Sequence, residues 1–269
     1  MVPTQSIGTR LARFTRSHAL RGNEVLDALR HKMKTVERNL YKIIEKNLSD
    51  LQKRIKDALS RSEHNQGPVE LVISTKYVEA DIIRILHESG ISCVGENRLQ
   101  DTERKVSILN DLNLSWHMFG HLQRNKVKKA IRIFDLIHSV ENISLAEEIN
   151  KESIKTGKQT RVLVEINVSG EETKYGFSPD GAIPFLKEIS KMEGIGVEGL
   201  MTMAPIVDDA EICRPIFKGL RELRERIDGE KIHGTNMKYL SMGMTQDFEV
   251  AIEEGANLVR VGSAVFKGI

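Results

Sequence analysis

A lysine, an arginine and two glycine-containing turns hold the chemical potential of this sequence. The run Val69-Glu70-Leu71-Val72-Ile73-Ser74-Thr75-Lys76 is apolar, rich in β-branched residues and ends on an amine. Such a run reads as a buried strand whose last residue lies at a rim. An amine in a tight, partly dry pocket is easier to deprotonate, so it can attack an aldehyde and form a Schiff base. Taken alone, the stretch fits better with a strand-end lysine reaching into water. Towards the other end of the chain, Ser241-Met242-Gly243 precedes a helical pattern opening near Thr245-Gln246-Asp247, and Gly262-Ser263-Ala264 opens the final segment. Both stretches offer backbone N–H groups, a hydroxyl and glycines that let a ligand approach, a combination suited to phosphate. Arg260 adds a fixed positive charge for that phosphate or for a ring nitrogen. The competing reading is a pair of capped, glycine-containing turns. The lysine on an opposite element tips the balance towards phosphate.

Other constellations are weaker. His117 and His121 have the HxxxH spacing of a helical metal pair. Gly120 interrupts what reads as a strand and its loop, and no carboxylate or cysteine completes the set, so no metal site is expected. Arg124, Lys126, Lys128, Lys129 and Arg132 form a basic cluster without interleaved aromatics. That describes a solvated helix face and not a nucleic-acid surface. Ser169-Gly170-Glu171-Glu172-Thr173-Lys174-Tyr175-Gly176 reads as an ordinary loop or as a lid, with Lys174 near the site.

These residues need a frame. Strand-like segments fall at 69–75, 91–95, 115–119, 135–139, 161–168, 196–202, 238–242 and 257–262. Helical patterns lie between them, near 79–89, 97–110, 124–132, 142–156, 179–192, 208–228 and 245–254. Alternating strands and helices imply βα units in parallel, and eight such strands close a (β/α)₈ barrel. An open doubly wound sheet would want a glycine-rich turn after its first strand, which Ser74-Thr75-Lys76-Tyr77 does not supply. In a barrel, Lys76, Asn97, Ser241, Gly243, Arg260, Gly262 and Ser263 all fall at strand ends facing one mouth.

The chain of 269 residues is 40% hydrophobic and 29% charged, an ordinary globular composition for one large domain. No apolar run approaches the ~20 residues of a membrane span. Cys93 and Cys213 lie far apart and outside any CxxC pair, as expected of buried thiols in a reducing compartment. Residues 1–62 carry a balance of +8 against −6 for the remainder, giving the net +2. A basic arm on a mildly acidic body suggests targeting or a surface contact. Residues 1–22 contain Arg10, Arg13, Arg16 and Arg21 and no acid, the composition of a mitochondrial presequence or of a disordered basic tail. From Glu24 to about Arg61 a narrow apolar stripe predicts a long amphipathic helix. Asn47-Leu48-Ser49-Asp50 offers a break, because Ser49 and Gln52 have capping-box spacing. The expected organisation is therefore a basic arm (1–22), a helical extension (23–62) and a barrel (63–269).

Taken together, several motifs resemble one family. They include Ile73-Ser74-Thr75-Lys76, Gly95-Glu96-Asn97-Arg98-Leu99-Gln100-Asp101, Trp116-His117-Met118-Phe119-Gly120-His121-Leu122-Gln123-Arg124-Asn125-Lys126 and Ile137-His138-Ser139-Val140. They continue through Gly199-Leu200-Met201-Thr202-Met203, Leu240-Ser241-Met242-Gly243-Met244-Thr245-Gln246-Asp247 and Val259-Arg260-Val261-Gly262-Ser263-Ala264-Val265-Phe266. The family is that of the pyridoxal phosphate homeostasis proteins, and the resemblance covers about residues 43–268.

The resemblance implies a single barrel like that of alanine racemase, with Lys76 holding pyridoxal 5′-phosphate as an internal aldimine. Ser241, Gly243, Gly262 and Ser263 would be its phosphate turns, Arg260 the arginine near the ring nitrogen or phosphate, and Asn97 the asparagine beside the ring. It further implies intracellular buffering and delivery of the cofactor to apo-enzymes, without established turnover. The alternative is a barrel-type amino-acid racemase or decarboxylase. The expected protein is cytoplasmic or mitochondrial, and a monomer, with dimerisation through the amino-terminal helix as the other option. Two departures stand out. The family's Ser-Lys-Thr-Lys is Ile73-Ser74-Thr75-Lys76 here, and Lys267 follows Phe266 where a glycine is usual.

Overall fold

The computed structural model describes residues 38–64, 67–171 and 174–269. The expected basic arm (1–22) and the first part of the expected helix (23–37) lie outside the described residues. Eight strands are all parallel to their neighbours and form a closed barrel in chain order. They are β1 (Glu70–Ser74), β2 (Cys93–Glu96), β3 (Ser115–Met118), β4 (Leu136–Val140), β5 (Thr160–Glu165), β6 (Ile195–Met201), β7 (Thr235–Ser241) and β8 (Leu258–Val261). Around them run α1 (38–61) and α2 (Ala80–Glu88), then α3 (Leu99–Ile108), α4 (Val127–Ile133), α5 (Ile143–Thr156), α6 (Pro179–Ile189), α7 (Arg214–Glu230) and α8 (Phe248–Glu253). The expected (β/α)₈ barrel is the observed one.

Two apolar layers hold it together. Val72, Phe119, Leu136, Leu163, Met201, Tyr239 and Leu258 fill the barrel interior, with Cys93 against them. A larger cluster lies between the strands and the helix ring. α1 joins that outer layer through Ile44, Leu48, Leu51 and Ala58, which lie on one helix face. The proposed break at Asn47-Leu48-Ser49-Asp50 is absent, since residues 38–61 are one continuous helix. Leu48 faces the core, and the Asn47 amide donates outward to the Val265 and Lys267 carbonyls at 2.9 Å each, so no new N-cap is needed there. α1 thereby packs beside the segment that comes after β8.

Closure brings the first and last strands together. β1 pairs with β8 from Glu70 opposite Leu258 to Ile73 opposite Val261. Beside this seam lies a buried ion pair. Lys105 Nζ of α3 lies 2.6 Å from Glu96 Oε1 at the end of β2 and donates to the Thr75 carbonyl at 2.7 Å. The Thr75 hydroxyl donates to the same carboxylate oxygen at 2.6 Å. All three residues are almost wholly buried. The backbone immediately before Lys76 is therefore fixed from two sides. Removing one member of such a pair strands a charge in a dry interior, at a cost of ~3–5 kcal/mol. Lys105→Met should lower unfolding free energy in urea by that amount, and adding Glu96→Gln should restore more than half of it. A double variant no more stable than the single one would show that packing, and not the stranded charge, sets the cost.

Candidate functional site

Because all eight strands run the same way, their carboxyl ends surround one mouth. Lys76 stands two residues beyond β1, exposed, with its Nζ 4.9 Å from the centre of the Tyr77 ring. The amine is thus at the rim and in water, as the stretch read alone suggests, and not in a dry pocket. Asn97 comes directly after β2, half-buried. Its carbonyl leaves no room for a side chain on the β3 loop, since a Cβ on Gly120 would come within 2.3 Å of that oxygen.

The turns after β7 and β8 are locked to each other. The Arg260 N–H donates to the Gly243 carbonyl at 3.0 Å, and the Gly262 N–H donates to the Thr245 hydroxyl at 3.3 Å. Asp247 closes the first turn by accepting from the Met244 N–H at 2.5 Å. Gly243 has φ +92°, and a Cβ there would lie 2.7 Å from that of Ala251, so α8 packing demands this glycine independently of any ligand. Among the described residues, the N–H groups of Thr245, Gln246, Ser263 and Ala264 have no backbone acceptor. Successive free N–H groups with hydroxyls beside them form an anion-binding concavity. The β8 turn also touches β1, where a Cβ on Gly262 would stand 3.2 Å from the Ser74 carbonyl oxygen. Lys76 and the Gly262-Ser263 turn are therefore neighbours across the closing seam.

Ser241 and Arg260 are placed differently from the exposed turns. Ser241 is fully buried and Arg260 nearly so, both turned into the barrel beneath the mouth. Arg260 donates to the Ser241 carbonyl at 2.8 Å, to its hydroxyl at 2.5 Å and to the Thr202 carbonyl at 2.9 Å. Burial draws the guanidinium down to a pKa of about 10, opposed by the charges of Glu165 and Asp247, so it remains a cation at neutral pH. The Ser241 hydroxyl is committed to this arginine and to His138 Nδ1 at 2.9 Å. It belongs to the floor of the mouth, together with Arg260.

Sequence reasoning missed the rest of that floor. His138 Nε2 lies 3.0 Å from His117 Nδ1, and His117 Nε2 lies 3.4 Å from Cys93 Sγ. Burial lowers both imidazoles, His117 to about 4, and keeps them neutral. One assignment of hydrogens satisfies every contact in this column: Arg260 to Ser241, Ser241 to His138, His138 to His117, His117 to Cys93, each donating to the next. Glu165, at the end of β5, is buried, and its pKa rises from 4.5 to about 7 through burial and the like charge of Glu141, with Arg260 opposing. Glu141 just beyond β4 is raised by its own burial; one of its oxygens bonds to His121 Nδ1 at 2.7 Å, and the other has no partner among the described residues. His121 stacks on Tyr175 of the β5 loop, with ring centres 4.7 Å apart, so this loop reaches the mouth. Strand alternation was the available signal, because Tyr239 fills the interior and Ser241 lies two residues on along the same strand.

Comparison with known proteins places the chain. The family model of the alanine racemase N-terminal domain matches residues 47–269. A pyridoxal phosphate homeostasis protein of Aquifex aeolicus is 40% identical over 219 residues, which is 81% of this chain and 95% of that protein. A human protein of the same name is 32% identical over 231 residues, 81% of this chain and 84% of that protein. The structure of PipY from Synechococcus elongatus with PLP bound superposes with a TM-score of 0.72 at 30% identity, covering 83% of this chain and 99% of that one. An alanine racemase of Clostridium difficile shares the fold alone, with a TM-score of 0.65 at 17% identity, covering 82% of this chain and 56% of that one.

The raised Glu165 pKa has a direct consequence for stability. A carboxyl whose folded pKa lies above its unfolded one stabilises the protein below about pH 4.5, and that contribution is lost as pH rises through about 7. Glu165→Gln removes the loss, so at pH 8 it should gain up to ~3 kcal/mol over the parent in urea unfolding while matching it near pH 4.5. An equal difference at both pH values would contradict the assignment.

Proposed function

Because this chain belongs to the pyridoxal phosphate homeostasis protein family, we propose that it holds pyridoxal 5′-phosphate through a Schiff base on Lys76 and serves as an intracellular reservoir that passes the cofactor to apo-enzymes. The residues suit such a ligand. The free N–H groups of Ser263 and Ala264, with those of Thr245 and Gln246, donate to the phosphate oxygens, aided by the Thr245 and Ser263 hydroxyls. Lys76 supplies the amine, two residues beyond the strand that adjoins the Gly262 turn. Asn97, half-buried at the end of β2, flanks the ring. Arg260 supplies positive charge from below, with Ser241 and Thr202 holding its guanidinium in place. When bound, pyridoxal phosphate supplies a reactive aldehyde and an electron-withdrawing ring.

The observation that carries this reading is the contact of Gly262 with Ser74, two residues before Lys76. An exposed amine at an open rim suits a carrier, because release requires water to reach the imine. The tyrosines near the strand ends support the same view. Tyr77 and Tyr175 are largely exposed, and Tyr239 is packed in the barrel interior. Glu165 favours the second reading, a racemase or decarboxylase, because a carboxyl with a pKa of about 7 is matched to proton transfer at neutral pH.

Protein incubated with pyridoxal phosphate should show the visible absorbance of a protonated imine, which borohydride reduction fixes covalently. Lys76→Ala should lose both signals; a reducible adduct persisting in that variant would move the site elsewhere. Incubation with D- and L-amino acids in deuterated water separates the two roles. The carrier reading predicts Cα exchange no faster than with free cofactor, and exchange at enzyme-like turnover would replace it with the catalytic one.

A further inference from the structure

The opposite half of the barrel holds a second cluster that the proposed cofactor site leaves unused. Glu70 opens β1, Cys93 opens β2 and His117 lies within β3. One donor atom from each lies within 4.8 Å of the other two. Cys93 Sγ is 3.4 Å from His117 Nε2 and 3.8 Å from Glu70 Oε1. Sequence spacing pointed to His121 as the partner of His117 and found no carboxylate or cysteine to complete a set. The barrel register supplies both. β2 pairs with both β1 and β3, which brings Glu70 and Cys93 to His117, while His121 turns away to Glu141.

We propose that Glu70, Cys93 and His117 form a binding site for a borderline-soft divalent cation of the zinc class. Four arguments support it. First, ligand identity: thiolate, imidazole and carboxylate together are a zinc donor set. Second, spacing: ligands at zinc–sulfur ~2.3 Å and zinc–nitrogen ~2.0 Å in a tetrahedron stand roughly 3.5 Å apart, close to the separations observed. Third, support: the remaining ring nitrogen of His117 already faces His138 Nε2 at 3.0 Å, the outer partner that fixes a ligating imidazole. Fourth, charge and access: Glu198 and Asp135 act on the same ring, outweighing the single Arg161, and Glu70 and Cys93 are only half-buried, which leaves an entry path. Three protein donors leave the fourth position to water.

Binding exchanges one proton for one cation. The Cys93 S–H bond breaks, the sulfur bonds to the metal, and the proton passes to solvent; no electrons move. His117 must then offer its Nε2 lone pair, so its proton resides on Nδ1 and is donated to His138. Metal binding therefore fixes the hydrogen-bond direction between the two histidines, from His117 to His138, in the column that ends at Ser241 and Arg260.

Cobalt(II) titrated into the purified full-length chain tests the site, read as difference spectra on one sample. The expected result is a near-ultraviolet thiolate-to-cobalt band with visible bands of tetrahedral intensity, both bleached by zinc. Cys213→Ser should keep the charge-transfer band and Cys93→Ser should lose it. Glu70→Gln, a near-isosteric change at a half-buried position, should weaken cobalt binding by roughly tenfold or more while keeping the band. This variant also reads the site if Cys93→Ser folds poorly. No charge-transfer band in the parent protein, a band surviving in Cys93→Ser, or unchanged affinity in Glu70→Gln would overturn the three-donor site.

Discussion

The seam between β1 and β8 is the constraint on which the rest depends. A parallel barrel can close only if its first and last strands hydrogen-bond in a fixed register, and here Ile73 lies opposite Val261. That register sets which residues face each other just beyond the strand ends. Within three residues past that pair stand Lys76 on one side and the Gly262-Ser263 turn on the other. A shift of one residue would turn every inward side chain outward and separate the amine from the free N–H groups. The Lys105–Glu96 pair reinforces this position by clamping Thr75 where the backbone leaves the strand.

Below the mouth, the interior is organised around a buried cation. Arg260 cannot be left unpaired in a dry core, so the surrounding strands supply acceptors: two from Ser241 and one from Thr202. Its charge also lowers the proton affinity of Glu165, which burial and Glu141 raise. From Ser241 the hydrogen bonding passes through His138 and His117 to Cys93. The two halves of the barrel interior are thus joined by a polar column set within an apolar lining. That column gives the amino-terminal half a physical route to the arginine beneath the mouth.

Much of the barrel was legible in the sequence, because buried parallel strands read as short apolar runs and their helices as amphipathic stripes. Boundaries slipped where that signal failed. β7 begins at Thr235, three residues ahead of expectation, because the exposed Asn236 points outward and reads as loop. β5 ends at Glu165 and not at residue 168, because the chain turns into the loop that returns at Phe177. α1 runs unbroken because Leu48 is needed in the core, which outweighs the capping signal at Ser49. Of the seven residues expected at the mouth, Lys76, Asn97, Gly243, Gly262 and Ser263 lie at the rim or in its turns, while Ser241 and Arg260 form the floor. The histidine column and the Glu70–Cys93–His117 cluster could not be read from spacing. Their members stand 21 to 103 residues apart and meet only through barrel register.

A crystal structure of the chain grown with pyridoxal phosphate tests the central claim most directly. The account predicts continuous density from Lys76 Nζ to the cofactor, with its phosphate within hydrogen-bonding distance of the Ser263 and Ala264 N–H groups. Cofactor joined to another lysine, or a phosphate bound away from the turns after β7 and β8, would contradict it.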